Sequence, residues 1–177
     1  MVEFVAVLTP LMLIVVAIIQ FGLLFGANVT ITNAAREGAR AGTIYIYDRT
    51  ETAYWNDAHR CGAIVNAATA AFGLLTVGSP HFNAPLTNGA CPTPNSATLV
   101  NGDVTVSYCA SVASSTAPCP NGSVPATACT VDTREGCLVR VVLRYRSDII
   151  VPLLDALLPH DGSNRFLHTV SATMVVN

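Results

Sequence analysis

The sequence predicts an α+β chain: a long N-terminal hydrophobic helix, a second helix, and a small antiparallel β-sheet domain with disulfide-tied loops. Three observations lead there. From Phe4 to Ala27 no side chain is ionisable, and only Thr9 and Gln20 are polar. Over residues 52–76, Ala58, Ile64, Val65, Ala68, Ala71, Phe72 and Leu75 recur at helical steps of three and four. Further on, residues 103–109, 137–146 and 166–176 read as strands between loops rich in Pro, Asn, Ser and Thr. Residues 1–47 are therefore expected to be the apolar helix and 48–177 a globular α+β domain.

The first helix dominates the composition. The 177 residues are 51% hydrophobic and 11% charged, where a soluble domain carries about 25% charged residues. Residues 4–27 at about 1.5 Å rise give about 36 Å of helix, against a bilayer hydrocarbon of about 30 Å. The segment is too long for a signal-peptide core and has no basic residue before it. Two readings stay open: a membrane anchor, or a helix buried among copies of itself. The pattern continues through NVTITNAAREGARAG, so one helix is expected from Val2 to Gly42, reaching Tyr47 at most. Pro10 lies inside it and costs about 3 kcal/mol in a helix interior, which predicts a kink or a melted turn between Val5 and Pro10.

The second helix is expected to run from Thr52 to Thr76, ended by Gly78-Ser-Pro80. Residues 79–102 and 110–136 read as loops. In CLVRVVLRYR, residues 137–146, the alternation is slightly irregular and suggests a bulge. Residues 148–158, broken by Pro152 and Pro159, suggest a short helix on the sheet.

Charge and cysteine usage narrow the function classes. Net charge is −2 and all nine basic residues are Arg, so nucleic-acid contact has no support. The six cysteines, Cys61, Cys91, Cys109, Cys119, Cys129 and Cys137, follow the apolar segment and include no C-x-x-C pair. An even count among loops favours disulfides and an extracytoplasmic domain. Arg36 and Arg40 just beyond the apolar segment would place that domain inside by the positive-inside rule. A short basic leader, lost from the N-terminus, reconciles the two. If residues 103–109 and 137–146 are antiparallel neighbours, Cys109 faces Cys137. Cys119–Cys129 then closes a nested loop, and Cys61 ties the second helix to Cys91, one of 15 connectivities open to six cysteines.

Catalytic signatures are missing. There is no G-x-S-x-G, Walker loop, H-E-x-x-H or G-x-G-x-x-G. His59, His81, His160 and His168 are scattered, so no metal, cofactor or catalytic residue is expected. Two triplets fit N-glycosylation: Asn28 is expected to be buried in the helix, leaving Asn121 as the candidate.

The opening segment, MVEFVAVLTPLMLIVVAIIQFGLLFGANVTITNAAREGARAG, closely resembles the N-terminal region of TadE-like pilins. An acid followed by Phe (Glu3-Phe4), a proline a few residues on, a long aliphatic run and the stretch Thr32–Gly42 carry the likeness. A looser likeness covers the last 40 residues or so, through V-R-V-V-L-R-Y and the closing S-A-T-M-V-V; residues 79–136 are not covered. In type IV pilins the acid is usually the fifth mature residue, and here it is the third.

The resemblance implies a filament subunit, a homo-oligomer in a helical array, held in the inner membrane before assembly and exported to the cell surface. Its implied partners are a prepilin peptidase and a pilus assembly machinery. Glu3 would pair with the N-terminal ammonium of a neighbour, since an acid at the membrane interior is costly alone. Helices moving from lipid to filament core pack by van der Waals contact, for which Gly22-x-x-x-Gly26 and Gly38-x-x-x-Gly42 offer small faces. Gln20 is a candidate for hydrogen bonding between helices, Pro10 a place to bend, and Arg36, Glu37 and Arg40 a charged face able to bridge subunits. Two other classes stay open: a monomeric membrane-anchored binding domain, and a disulfide-bonded secreted enzyme with an uncleaved anchor.

Overall fold

The computed structural model describes residues 2–83, 98–109, 135–150, 160–161 and 164–176. Helix α1 spans Val2–Thr43 and α2 spans Ala53–Ala70. The strands are β1 (Thr98–Asn101), β2 (Val104–Cys109), β3 (Leu138–Asp148), β4 (His160–Asp161) and β5 (Arg165–Val175). They form one antiparallel sheet in the order β1-β2-β3-β5-β4.

Two patterns share α1. Residues 11–16 are exposed all round, as in a helix apolar on every face. From Gln20 onward a seam appears: Gln20, Leu24, Ala27, Ile31, Ala34, Ala35 and Ala39 are buried, at steps of three and four. This seam lies along β3 and β5 and also packs against α2. The core adds Ile64, Val65 and Ala68 from α2, Phe72 from the turn after it, Val104, Val106 and Tyr108 from β2, and Val139, Val141, Leu143 and Tyr145 from β3. The opposite face of β3 carries Arg140, Arg144 and Arg146, so the sheet is apolar on one side and polar on the other.

Close approach of the helices depends on small side chains. A Cβ built on Gly38 would lie 3.2 Å from both Ala68 Cβ and the Ile64 carbonyl oxygen. One on Gly42 would lie 2.8 Å from Ile64 Cδ1. Between the helices, Asn56 fastens the connection: it accepts from Asp48 N at 2.7 Å and donates to Asp48 O at 2.8 Å. Thr52 caps α2 by accepting from Trp55 N.

Several expectations need correction. Helix α1 runs unbroken through Pro10 with no melted turn; proline removes one bond, and those on either side keep the backbone helical. Helix α2 stops at Ala70 rather than Thr76, because Gly73 takes a φ of +58° and turns the chain. Residues 98–101, read as loop, form β1. No bulge interrupts β3, whose register is one-to-one with β2 and with β5. The strand also runs on to Asp148, where a helix was expected to start; residues 151–159 lie outside the described residues. Asn28 is exposed, since the seam passes through Ala27 and Ile31.

Cys91, Cys119, Cys129 and Asn121 lie outside the described residues, as does the side chain of Cys109. The backbone register pairs Cys109 with Leu138, the residue after Cys137. Neither Cys61 nor Cys137 is a free thiol.

The β1–β2 hairpin turns at Gly102, the first central residue, with φ +56°. A Cβ there would run into the Asn83 carbonyl oxygen. Gly102→Ala should therefore cost about 2 kcal/mol and lower the thermal midpoint by about 4–8 °C. Gly22→Ala, whose Cβ would meet nothing within 4 Å, should leave the midpoint unchanged or raise it. Thermal melts of both variants in detergent check the contrast.

Candidate functional site

Below the seam α1 leaves the domain as a free rod. Ten large apolar side chains between Phe4 and Ile19 are at least 40% exposed, Phe4 among them at 69%. Covering a Leu, Ile or Phe fully is worth about 1.5–3 kcal/mol, so half-covering ten is of order 10 kcal/mol. That is comparable with the whole stability of a domain, about 5–15 kcal/mol. The rod is therefore a surface made for an apolar medium. Residues 6–43 contain a helix long and apolar enough to cross a membrane.

The rod is fixed to the domain at Gln20, which is 2% exposed. Its Nε2 donates to Asp148 O at 3.2 Å, and its Oε1 accepts from Ile150 N at 2.9 Å. Both ends of the amide thus satisfy backbone groups where β3 stops. Around this join, Arg165 Nε lies 3.0 Å from Asp148 Oδ1, and His81 Nε2 lies 3.7 Å from Asp148 Oδ2. A cleft of about 250 Å³ opens beside it, lined by Gln20, Leu24, Leu74, His81 and Tyr145. Further in, the buried carboxylate of Asp103 accepts from Arg146 Nη1 at 3.0 and 2.8 Å and from Asn83 N at 2.7 Å.

The sequence-derived residues fall into separate groups. Glu3 and Phe4 are exposed in the first turn of α1, and Pro10 is exposed on the rod. Gly22 and Gly26 are exposed, with open space at the Cβ position of each. Gly38 and Gly42 are already in use, packed on Ile64 and Ala68 of the same chain. Gln20 is committed within the chain, so a hydrogen bond between helices would have to displace its two backbone partners. Arg36, Glu37 and Arg40 are exposed on α1, with Arg40 Nη1 3.2 Å from Glu37 Oε2. Such an exposed pair contributes about 0–1 kcal/mol.

Sequence reasoning missed Asn56 and the Asp103–Arg146 pair. Both are polar residues in apolar patterns: Asn56 opens the buried stripe of α2, and Arg146 extends a strand whose partner lies 43 positions away. At the far end of α1, a second cleft of about 540 Å³ is lined by Tyr45, Tyr47, Arg49, Arg60 and Glu135. There the Arg60 guanidinium lies 5.2 Å from the centre of the Tyr45 ring. Burial raises the Tyr45 pKa, opposed by the Arg60 charge.

A membrane-length helix continuous with an α+β core places the chain among proteins built as an apolar stem carrying a folded head. Residues 1–40, nearly the whole of α1, match the family model described as TadE-like protein. No curated protein and no solved structure matches the chain.

Removing the amide at the join takes away the partner of a part-buried N–H and C=O, at about 1 kcal/mol each. Gln20→Ala should lower the urea midpoint and speed hydrogen exchange at Ile150 more than at Val141, as read by exchange mass spectrometry. The buried His168 ring gives a second expectation. It sits 2.9 Å from Ser147 Oγ and edge-on to Phe166 at 4.7 Å between ring centres. Burial pushes its pKa below the ordinary 6.5. The unfolded chain then binds a proton that the folded chain refuses. This penalty is absent above the unfolded value and grows as pH falls from about 6.5 toward the folded value. Urea melts should show stability dropping between about pH 7.5 and about pH 5.5, and less so in His168→Gln.

Proposed function

We propose that the chain is a structural subunit, a pilin, of an extracellular type IV pilus-like filament of the Tad type. Its N-terminal helices pack in the filament core, and its α+β domain lies on the filament surface. The observation that carries this reading is the rod of residues 4–19, apolar all round and uncovered by its own domain, within a segment matched as TadE-like. Before assembly the rod anchors the subunit in the inner membrane, with the domain outside. Glu3 pairs with the N-terminal ammonium of a neighbour. Gly22 and Gly26 admit close helix contact, while Gly38 and Gly42 serve the chain's own fold. Arg36, Glu37 and Arg40 face adjacent subunits from the exposed side of α1.

The role is non-enzymatic and needs no cofactor or metal. A prepilin peptidase and a pilus assembly machinery process and polymerise the chain. The cysteines pair as Cys61–Cys91, Cys109–Cys137 and Cys119–Cys129. The absence of free thiols at Cys61 and Cys137 supports pairing, and the β2–β3 register brings Cys109 opposite Leu138, one residue from Cys137.

A second reading is a monomeric membrane-anchored binding domain or a minor, priming pilin. The 540 Å³ cleft favours it, as room for a small ligand between Tyr45, Tyr47, Arg49 and Arg60. Shearing of cells separates the readings: a filament subunit is recovered in the sheared fibre fraction, a tether only with membranes. Glu3→Ala should reduce the fibre fraction tenfold or more, as loss of a charge pair in apolar surroundings costs about 3–5 kcal/mol. A tethered domain would be indifferent to that change.

A further inference from the structure

We infer that the end of the domain nearest the rod is a membrane-contact surface, with Leu74, Val77 and Ile150 seated at the headgroup–acyl boundary of the outer leaflet. The inference rests on the membrane-anchored stage of the proposed function and adds a second point of lipid contact to it.

The first support is the direction of the elements. At one end of the seam, Gly42 packs against Ile64 and Val139; at the other, Gln20 bonds to Asp148 and Ile150. Helix α2 and strand β3 therefore run antiparallel to α1; β3 ends at the level of Gln20, and the turn after α2 reaches down to the cleft beside it through Leu74, Leu75 and Thr76. Leu74 is fully exposed in the turn after α2, at 104%, and lines the same cleft as Gln20 and Leu24. Ile150 is 67% exposed although its N–H is bonded to Gln20. Val77, next to Thr76 of that cleft, is exposed as well. Three exposed apolar side chains thus lie on the segments that meet the rod where it leaves the domain.

Depth is the second support. The free rod, residues 2–19, is eighteen residues long, or about 27 Å at 1.5 Å each. Hydrocarbon about 30 Å thick is filled by such a rod, and the level of Gln20 then coincides with the polar boundary. Ile150 is bonded at that level, Leu74 lines the cleft that opens from it and Val77 follows Thr76 of the same cleft, with the Asp148–Arg165 pair as the polar part of an interfacial rim. Ile44 and Ile46 are equally exposed but lie beyond the far end of the seam, more than about 30 Å along α1. They are out of reach of the same leaflet.

Single-tryptophan chains test this. On a Trp55→Phe background, Leu74→Trp, Ile14→Trp and Ile46→Trp are reconstituted in phosphatidylcholine vesicles whose acyl chains are brominated near the carbonyl or near the methyl end. The indole at position 74 should be quenched at least twofold by lipid brominated near the carbonyl and less by the other. Position 14 should be quenched most by lipid brominated near the methyl end, and position 46 by neither. Quenching at 14 with none at 74 overturns the contact while leaving the anchor standing. A blue-shifted yet unquenched indole at 74 overturns it in favour of a sister copy as occupant. No quenching at 14 overturns the anchored stage and the contact together.

Discussion

Backbone polarity in an apolar medium is the constraint on which the structure turns. Hydrocarbon offers no hydrogen bonds, so a segment that enters it must satisfy its own N–H and C=O groups, and a helix does so along its length. Helix α1 exploits this by continuing without interruption from the rod into the domain core. One element then meets two media, and only its side chains change at the crossing. Below Gln20 every face is apolar; above it, a seam faces the sheet, while the outer face stays apolar through Phe21, Leu23, Phe25 and Val29 before it turns polar at Asn33, Arg36 and Glu37. The change falls on a residue whose amide satisfies the last backbone groups of β3, so the sheet ends where the rod begins.

Phase along the helix then decides what each residue is for. Gly38 and Gly42 fall where α2 approaches, and a methyl group at Gly38 would press on the Ile64 carbonyl. Gly22 and Gly26 sit two residues past Gln20 and Leu24, about 200° around the helix and away from the domain. Identical spacing in the sequence thus serves the chain's own fold in one case and leaves an open face in the other. The charged trio at 36, 37 and 40 lies outside the seam for the same reason, between Ala35 and Gly38 and just after Ala39.

Much of this was legible in the sequence because it follows from periodicity. The bounds of α1, the stripe on α2 and the strands β2, β3 and β5 all come from apolar spacing, and the structure places them within a few residues. What escaped depends on partners distant in the chain. Residues 98–101 are too short to announce a strand; they pair only because Gly102 folds them back on β2. Gln20 was visible as the odd polar residue in an apolar run, but its partners lie 128 and 130 positions away. Composition suggested a lateral role, and geometry assigned it to the chain's own sheet. Asp103 and Arg146 fall at the ends of two expected strands, 43 positions apart, and only the pairing of β2 with β3 brings them together, with Asn83 N on the same carboxylate.

The parallel alignment of rod, seam and strands has a mechanical consequence. Tension drawn along α1 acts along β3 and β5 as well, whose eleven residues each are paired over their full length. Load of this kind is carried in shear: many contacts resist together, instead of parting one after another as they would under a peeling force. A head mounted in this way stays shut when its stem is hauled on from below.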